Sequence, residues 1–320
     1  MMAPVWLPKT LLLVVLLSAE SYTIPEDAWC YSEPRCAPNT WLSLGHCNGK
    51  RQSPIDIISG KATYNSSLGA VNLTGYGDRE KLLEIKNTGK TVDIELASGL
   101  LLSGPGFPAP YTAKAFHFHW GNGVSRPGSE HYINGKRYAM ELHIVHTKNN
   151  LSISHALKDP EGIAVLGFFV EGSKNVTAKT AEAWEEFIKN LEKVSVKGKE
   201  EELESTVSLL DLLGSTDLAS YYRYLGSLTT PGCNEVVIWT IFTDPILVPP
   251  KVVEAFPSEL YSTESSNGPQ LENNNRPLQK NGDRKVEASF KLHSAASLVS
   301  QSATFPLFLF ILTLMSFLPA

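Results

Sequence analysis

His117 and His119 stand two residues apart in the run Phe116-His117-Phe118-His119-Trp120, and His143 closes the later segment Glu141-Leu142-His143. In an extended strand side chains alternate between faces, so the two imidazoles of the first run share one side while its aromatics share the other. The stretch Ala139 to Thr147 alternates as well and puts Glu141, His143 and Val145 on one face. A neighbouring antiparallel strand would therefore bring a third imidazole to the first two. Three neutral imidazoles with an open fourth position describe a catalytic zinc site that activates water. A bare His-x-His also arises as surface alternation or as a hydrogen-bonded pair. Here the aromatic face marks the strand as buried on one side, and Glu141 lies on the face of His143, where it would orient that ring.

Such ligands need a sheet to hold them. Lys81 to Lys86, Thr91 to Leu96, Ala115 to Trp120, Ala139 to Thr147, Ile163 to Val170 and Glu235 to Phe242 read as strands, and alternation resumes over Val286 to Leu292. Trp184, Phe187, Ile188, Leu191 and Val194 fall at helical spacing within Ala178 to Val194, a stripe suited to packing. No internal repeat is present, and Ser262 to Gly282, with Asn273 to Asn275, reads as a long loop and not as a domain boundary. The expected class is mainly β (α+β), a single domain over residues 22–293; with 42% hydrophobic residues the 320-residue chain has ample material for a core.

Both ends read as processed segments. Lys9 precedes the apolar run Leu11 to Leu17, and Ser18 to Ser21 follow, which describes a secretory signal over residues 1–21 with cleavage between Ala19 and Tyr22. Phe305 to Leu318 is almost wholly apolar, and upstream lie the small residues Ser294, Ala295, Ala296 and Ser297 and a short spacer. That pattern describes a glycosylphosphatidylinositol attachment signal over residues 294–320, with Ser294 as the attachment residue; a tail-anchoring helix is the alternative. Either one places the protein on the outer face of the cell membrane. In that oxidising compartment Cys30, Cys36, Cys47 and Cys233 are expected to form two disulfides, with three pairings open, and none of them has the Cys-x-x-Cys spacing of a zinc site. Sequons at Asn65, Asn72, Asn150 and Asn175 mark glycosylation sites. A formal charge of -5 without a basic block argues against a nucleic-acid partner.

Five motifs carry a closer likeness: Gln52-Ser53-Pro54-Ile55-Asp56-Ile57, Phe116-His117-Phe118-His119-Trp120-Gly121, Gly128-Ser129-Glu130-His131, Glu141-Leu142-His143-Ile144-Val145-His146 and Ser227-Leu228-Thr229-Thr230-Pro231. With them nearly the whole domain resembles the alpha-class carbonic anhydrases, and among these the extracellular, lipid-anchored type. The resemblance implies a large twisted, mostly antiparallel sheet with zinc at the base of a conical cleft, and the bridges Cys30 with Cys36 and Cys47 with Cys233. It implies reversible hydration of carbon dioxide to bicarbonate and a proton, with Zn2+ held by His117, His119 and His143. Thr229 would accept a hydrogen bond from the nucleophile and donate its own proton to Glu130. Thr230, Val145, Val165, Leu228, Val237 and Trp239 would border the substrate. Glu141 would serve His143, and a backbone carbonyl near Asn274 would serve His119. His131 and His146 are read as buried hydrogen-bonding residues, and His46, His155 and His293 as surface positions.

Two positions depart from that pattern. Where a glutamine usually orients the first ligand, this chain has Ala115, so His117 must find water or another acceptor for its second nitrogen. Where fast relatives carry a histidine, it has Lys90, whose ordinary pKa of about 10.4 is poorly matched to carrying protons near neutral pH. Hydration is expected to survive and proton export to slow. A catalytically silent ectodomain acting as a binding module is the alternative reading; the complete trio of histidines speaks against it. Ester hydrolysis is expected as a side activity. Partners are expected to be carbon dioxide, bicarbonate and water, with a bicarbonate or acid transporter left open and a monomer expected.

Overall fold

The alternation around His117 becomes the strand Tyr111–Trp120, whose antiparallel partner is Met140–Lys148. The computed structural model describes residue 25, residues 28–204 and residues 206–292; the expected segments 1–21 and 294–320, together with Ser294 and His293, lie outside the described residues. A mixed sheet of 13 strands organises the molecule. Its main path runs Glu200–Glu202, Leu82–Asn87, Val92–Leu96, Tyr111–Trp120, Met140–Lys148, Ile163–Gly172, Val237–Phe242, Tyr221–Gly226, Glu287–Ala288 and Thr63–Tyr64. Most neighbours are antiparallel, but Ile163–Gly172 runs parallel to Val237–Phe242 and to Ile246–Val248. The class expected from sequence, one mainly β domain with a few helices, is the class observed.

The two faces of the sheet bury different material. On one, Phe116, Phe118, Trp120, Leu142 and Ile144 form a core with Trp184 and Phe187 of the helix Ala178–Ile188 and Phe256 of the helix Pro250–Glu259. Phe118 meets Phe187 and Phe256 at ring centroid distances of 5.6 and 5.0 Å. Full burial of each such side chain contributes about 2 kcal/mol or more. On the other face a second core gathers Val165, Tyr224, Val237, Trp239 and Ile241. A third, smaller cluster packs Trp41 against the Cys47–Cys233 bridge, which spans 186 residues of sequence; Cys30 pairs with Cys36.

Some expected bounds move. The helix stops at Ile188 and not at Val194, because the Asn190 side-chain amide donates to the Phe187 carbonyl at 3.2 Å, competing with helical continuation. A 3-10 turn, Glu192–Val194, follows, and Leu191 and Val194 remain buried. Within Val286 to Leu292 only Glu287–Ala288 pairs as a strand. Sequence periodicity did not point to the strand Tyr221–Gly226 or to the helices Leu209–Leu213 and Pro250–Glu259.

Candidate metal centre

Strand register brings the three histidines together. His117 stands directly opposite His143, and His119 opposite Glu141, across the pair Tyr111–Trp120 and Met140–Lys148. One ring nitrogen from each of His117, His119 and His143 lies within 4.8 Å of the others. No ordinary packing role requires three imidazoles to converge in this way.

The nitrogens pointing away from the cluster are accounted for in two cases. His119 Nδ1 donates to the Asn274 carbonyl at 2.7 Å, and His143 Nε2 donates to Glu141 Oε1 at 2.7 Å. These bonds fix ring orientation and tautomer and leave His119 Nε2 and His143 Nδ1 as acceptors toward the common centre. His119 Nε2 is buried and has no hydrogen-bond partner, the condition of a nitrogen that ligates a metal. Burial, with the neighbouring His143, pushes the His119 pKa down to about 3, and burial with both other rings lowers that of His117 as well. Neutral imidazoles are the form that binds a metal, so the residues fit a zinc ion.

His143 depends on a buried polar chain. Burial alone would push the Glu141 carboxyl up, but the imidazoles of His131 and His143 outweigh it and hold the group well below the usual carboxylate range. His131 donates to Glu141 from Nδ1 and from its backbone N–H, each at 2.7 Å, and its Nε2 accepts from the Tyr224 hydroxyl at 2.6 Å. Ser53 Oγ is 2.8 Å from that hydroxyl and accepts from the backbone N–H of Ser227 at 3.1 Å. Glu141, His131 and His143 are also close enough to suggest a second ligand set, but their atoms already satisfy one another, so they form a hydrogen-bonded relay and not a metal cage. Gly167 makes the relay possible, since a Cβ there would sit 3.3 Å from Glu141 Oε1 and 2.6 Å from Ile241 Cδ1.

Glu130 is almost wholly buried and lies beside His119, with Oε2 3.4 Å from Nε2. Its Oε1 accepts from the Arg276 backbone N–H at 2.8 Å. Burial pushes its pKa up to about 7. The Thr229 hydroxyl approaches closely enough to oppose that rise, although Oε2 has no partner at strict hydrogen-bond geometry. Thr229 is itself buried, and Thr230 faces a cleft of about 700 Å³ that also borders His117, His119, Lys90 and Asp93. Val165, Val237 and Trp239 are buried beside the site, with Val145 and Leu228 packed on them at its edge. Val145 and Trp239 flank Val165 across the sheet, and the Trp239 ring lies 4.8 Å from that of His143.

Lys90 sits at the cleft with its ammonium 4.7 Å above the Trp29 ring. His131 and His146 are fully buried and hydrogen-bonded, and His46 and His155 are exposed, as expected. Asn72, Asn150 and Asn175 are exposed, whereas Asn65 is half-buried and its amide donates to Glu287 at 3.1 Å. Sequence reasoning missed Arg276, whose guanidinium donates to Gln52 Oε1 and the Ser53 carbonyl at 2.9 and 2.8 Å, tying the Glu130 loop to the Gln52-Ser53 segment. It also missed Gly167, Tyr224 and the cleft wall made by Trp29 and Tyr31. The only signal for Arg276 was a lone arginine in a polar loop.

Fold and geometry together define a candidate three-imidazole metal centre in the floor of a cleft on a large mixed sheet. The chain belongs to the eukaryotic-type carbonic anhydrases, the family it matches over residues 36–290, and is by that membership an enzyme of carbon dioxide hydration. It is 38% identical over 278 residues to carbonic anhydrase 4 of Oryctolagus cuniculus, covering 85% of this chain and 86% of the relative. It is 37% identical over 287 residues to carbonic anhydrase 6 of Bos taurus, at 89% and 86% coverage. It is 35% identical over 289 residues to carbonic anhydrase 12 of Homo sapiens, at 88% and 78% coverage.

Proposed function

We propose that this enzyme holds one zinc(II) ion through His117, His119 and His143 and hydrates carbon dioxide reversibly to bicarbonate and a proton. The observation that carries the reading is the convergence of the three imidazoles, with His119 Nε2 buried and unpartnered at their centre. Held by these three residues, a zinc ion would lower the pKa of a water from about 15.7 to about 7 and so supply a nucleophile near neutral pH. Thr229 donates a hydrogen bond from its hydroxyl to Glu130 and thereby turns an acceptor lone pair toward the nucleophile, fixing its direction of attack. Val145, Val165, Leu228, Val237 and Trp239 offer a small apolar substrate a surface without hydrogen-bonding competitors. Thr230 borders the cleft beside them.

A lysine at position 90 is poorly matched to carrying protons near neutral pH, so in weak buffer proton export limits turnover. Activated esters, attacked by the same nucleophile, are side substrates. The signal-like and anchor-like ends, the two disulfides and the sequons support a glycosylphosphatidylinositol-anchored glycoprotein on the outer cell surface. No helix among the described residues is long and apolar enough to cross a membrane.

The decisive experiment measures zinc content and carbon dioxide hydration together. His117→Ala is expected to lose both, His155→Ala neither, and Thr229→Ala to keep zinc while slowing hydration about a hundredfold, the scale of losing one positioned hydrogen bond in a transition state. Equal zinc content and rates in His117→Ala and wild type would remove the metal centre from the reading, and metal loss in Thr229→Ala would remove Thr229 from its role.

A further inference from the structure

The three imidazoles are not equally supported. His119 is anchored by the Asn274 carbonyl and His143 by Glu141, each at 2.7 Å, but His117 makes no hydrogen bond among the described residues. Its own strand offers no side-chain acceptor: Ala115, two residues back on the same face, carries only a methyl group. The neighbouring strand does. Asp93 stands directly opposite His117 across the pair Val92–Leu96 and Tyr111–Trp120, and its Oδ1 lies 4.0 Å from His117 Nδ1. Other groups nearby are committed elsewhere or out of line. Thr91 Oγ1 donates to the Phe118 carbonyl at 2.6 Å, and Glu95 is opposite Ala115 and not His117.

We propose that Asp93 is the positioning residue for His117, a carboxylate supplied from the adjacent strand that receives the Nδ1–H and turns Nε2 toward the metal. This inference rests on the reading of the three histidines as a zinc site. A separation of 4.0 Å is longer than a hydrogen bond of 2.7–3.2 Å. The Asp93 side chain is 41% exposed and lines the cleft, so it has the freedom to close that distance by rotation about its own bonds once the ring is held. Such contacts are often long in metal-free or ligand-free proteins and tighten on assembly. A ligand-orienting carboxylate changes metal affinity by about 10- to 100-fold, the scale on which the role becomes visible.

The test uses the full chain, stripped of metal with a chelator and titrated with zinc against a chromophoric competitor. Wild type, Asp93→Ala, Asp93→Asn, Glu95→Gln and the double variant Asp93→Ala with Ala115→Gln are compared, together with the melting temperature of each metal-free protein. Asp93→Ala is expected to weaken zinc binding at least about tenfold and to speed zinc loss to excess chelator, with an unchanged metal-free melting temperature. Asp93→Asn, which keeps an acceptor oxygen, should retain most of the affinity, and Glu95→Gln all of it. Ala115→Gln should restore part of what Asp93→Ala loses, because it places an acceptor on the same face of the ligand strand. In zinc-loaded wild type the His117 Nδ1 proton should give a slowly exchanging imidazole resonance that Asp93→Ala abolishes. Zinc affinity within twofold of wild type in Asp93→Ala would overturn the proposal while leaving the zinc site standing. A parallel fall in the metal-free melting temperature would reduce Asp93 to a structural role and overturn it too. A wild type that takes up no zinc would overturn both readings at once.

Discussion

His146 shows how far this interior can hold a titratable group from its ordinary state. The ring is fully buried, donates from Nδ1 to the Ala164 carbonyl at 3.1 Å, and accepts at Nε2 from the Tyr76 hydroxyl. Burial pushes its pKa down to about 4, against about 6.5 for an exposed imidazole. Between these values the unfolded chain takes up a proton that the folded chain refuses, so the contribution of His146 to stability is complete above pH 6.5 and is lost as pH falls toward 4. The loss amounts to about 3 kcal/mol from a single residue. His146→Gln should be less stable than wild type at pH 8, yet its unfolding free energy, measured by denaturant titration, should fall by about 3 kcal/mol less between pH 6.5 and pH 4. Parallel curves for the two proteins would show that His146 already titrates normally in the fold.

At the scale of elements, Ile163–Gly172 serves the site without contributing a ligand. Its Gly167 lies opposite His143 on one side and Ile241 on the other, in the space used by the Glu141 carboxylate. Gly167→Ala should cost about 1–3 kcal/mol in stability, the usual range for overpacking, and should also accelerate zinc loss, because relief of the contact displaces Glu141 from His143. Unchanged zinc retention with lowered stability would mean that Ile241 alone absorbs the added methyl group. Strands such as Tyr111–Trp120 and Met140–Lys148 were legible in the sequence because one face is aromatic or aliphatic and the other carries the three histidines. Tyr221–Gly226 was not: Tyr221, Tyr222, Arg223 and Tyr224 are all buried, so no polar and apolar faces alternate, and the reason for burying Arg223 and Tyr224 lies in distant partners. Arg276 was hidden for the same reason, and Asn274 came into view only through the family resemblance and not from its own residue type. They belong to a loop with no periodicity, yet one holds His119 and the other Glu130 through backbone atoms that any residue type possesses.

On the scale of the whole molecule, the Cys47–Cys233 bridge joins segments 186 residues apart and fixes the turn in which the Cys233 N–H donates to the Thr230 carbonyl at 2.9 Å. In the chain-entropy account a loop of that length is worth about 5 kcal/mol. Replacing both cysteines by serine should therefore lower the unfolding free energy by about 2–5 kcal/mol and reduce hydration more than zinc content, since the bridge holds the turn that directly follows Thr229 while the three histidines stand on the central strands. Equal losses of zinc and activity would place its influence on the sheet instead.

The central strand carries cargo on both sides: Phe116, Phe118 and Trp120 toward the helices, His117 and His119 toward the cleft. A slip of one residue in its pairing would exchange the two sets, driving imidazoles into the aromatic core and exposing phenylalanines to water. A one-residue slip is thus penalised twice, and it cannot bring the three imidazoles to one face. If the trio holds zinc as proposed, bound metal counted per chain would be a tally of molecules whose strands have met in the right alignment, and the metal content of a preparation would report its folding as directly as its catalysis.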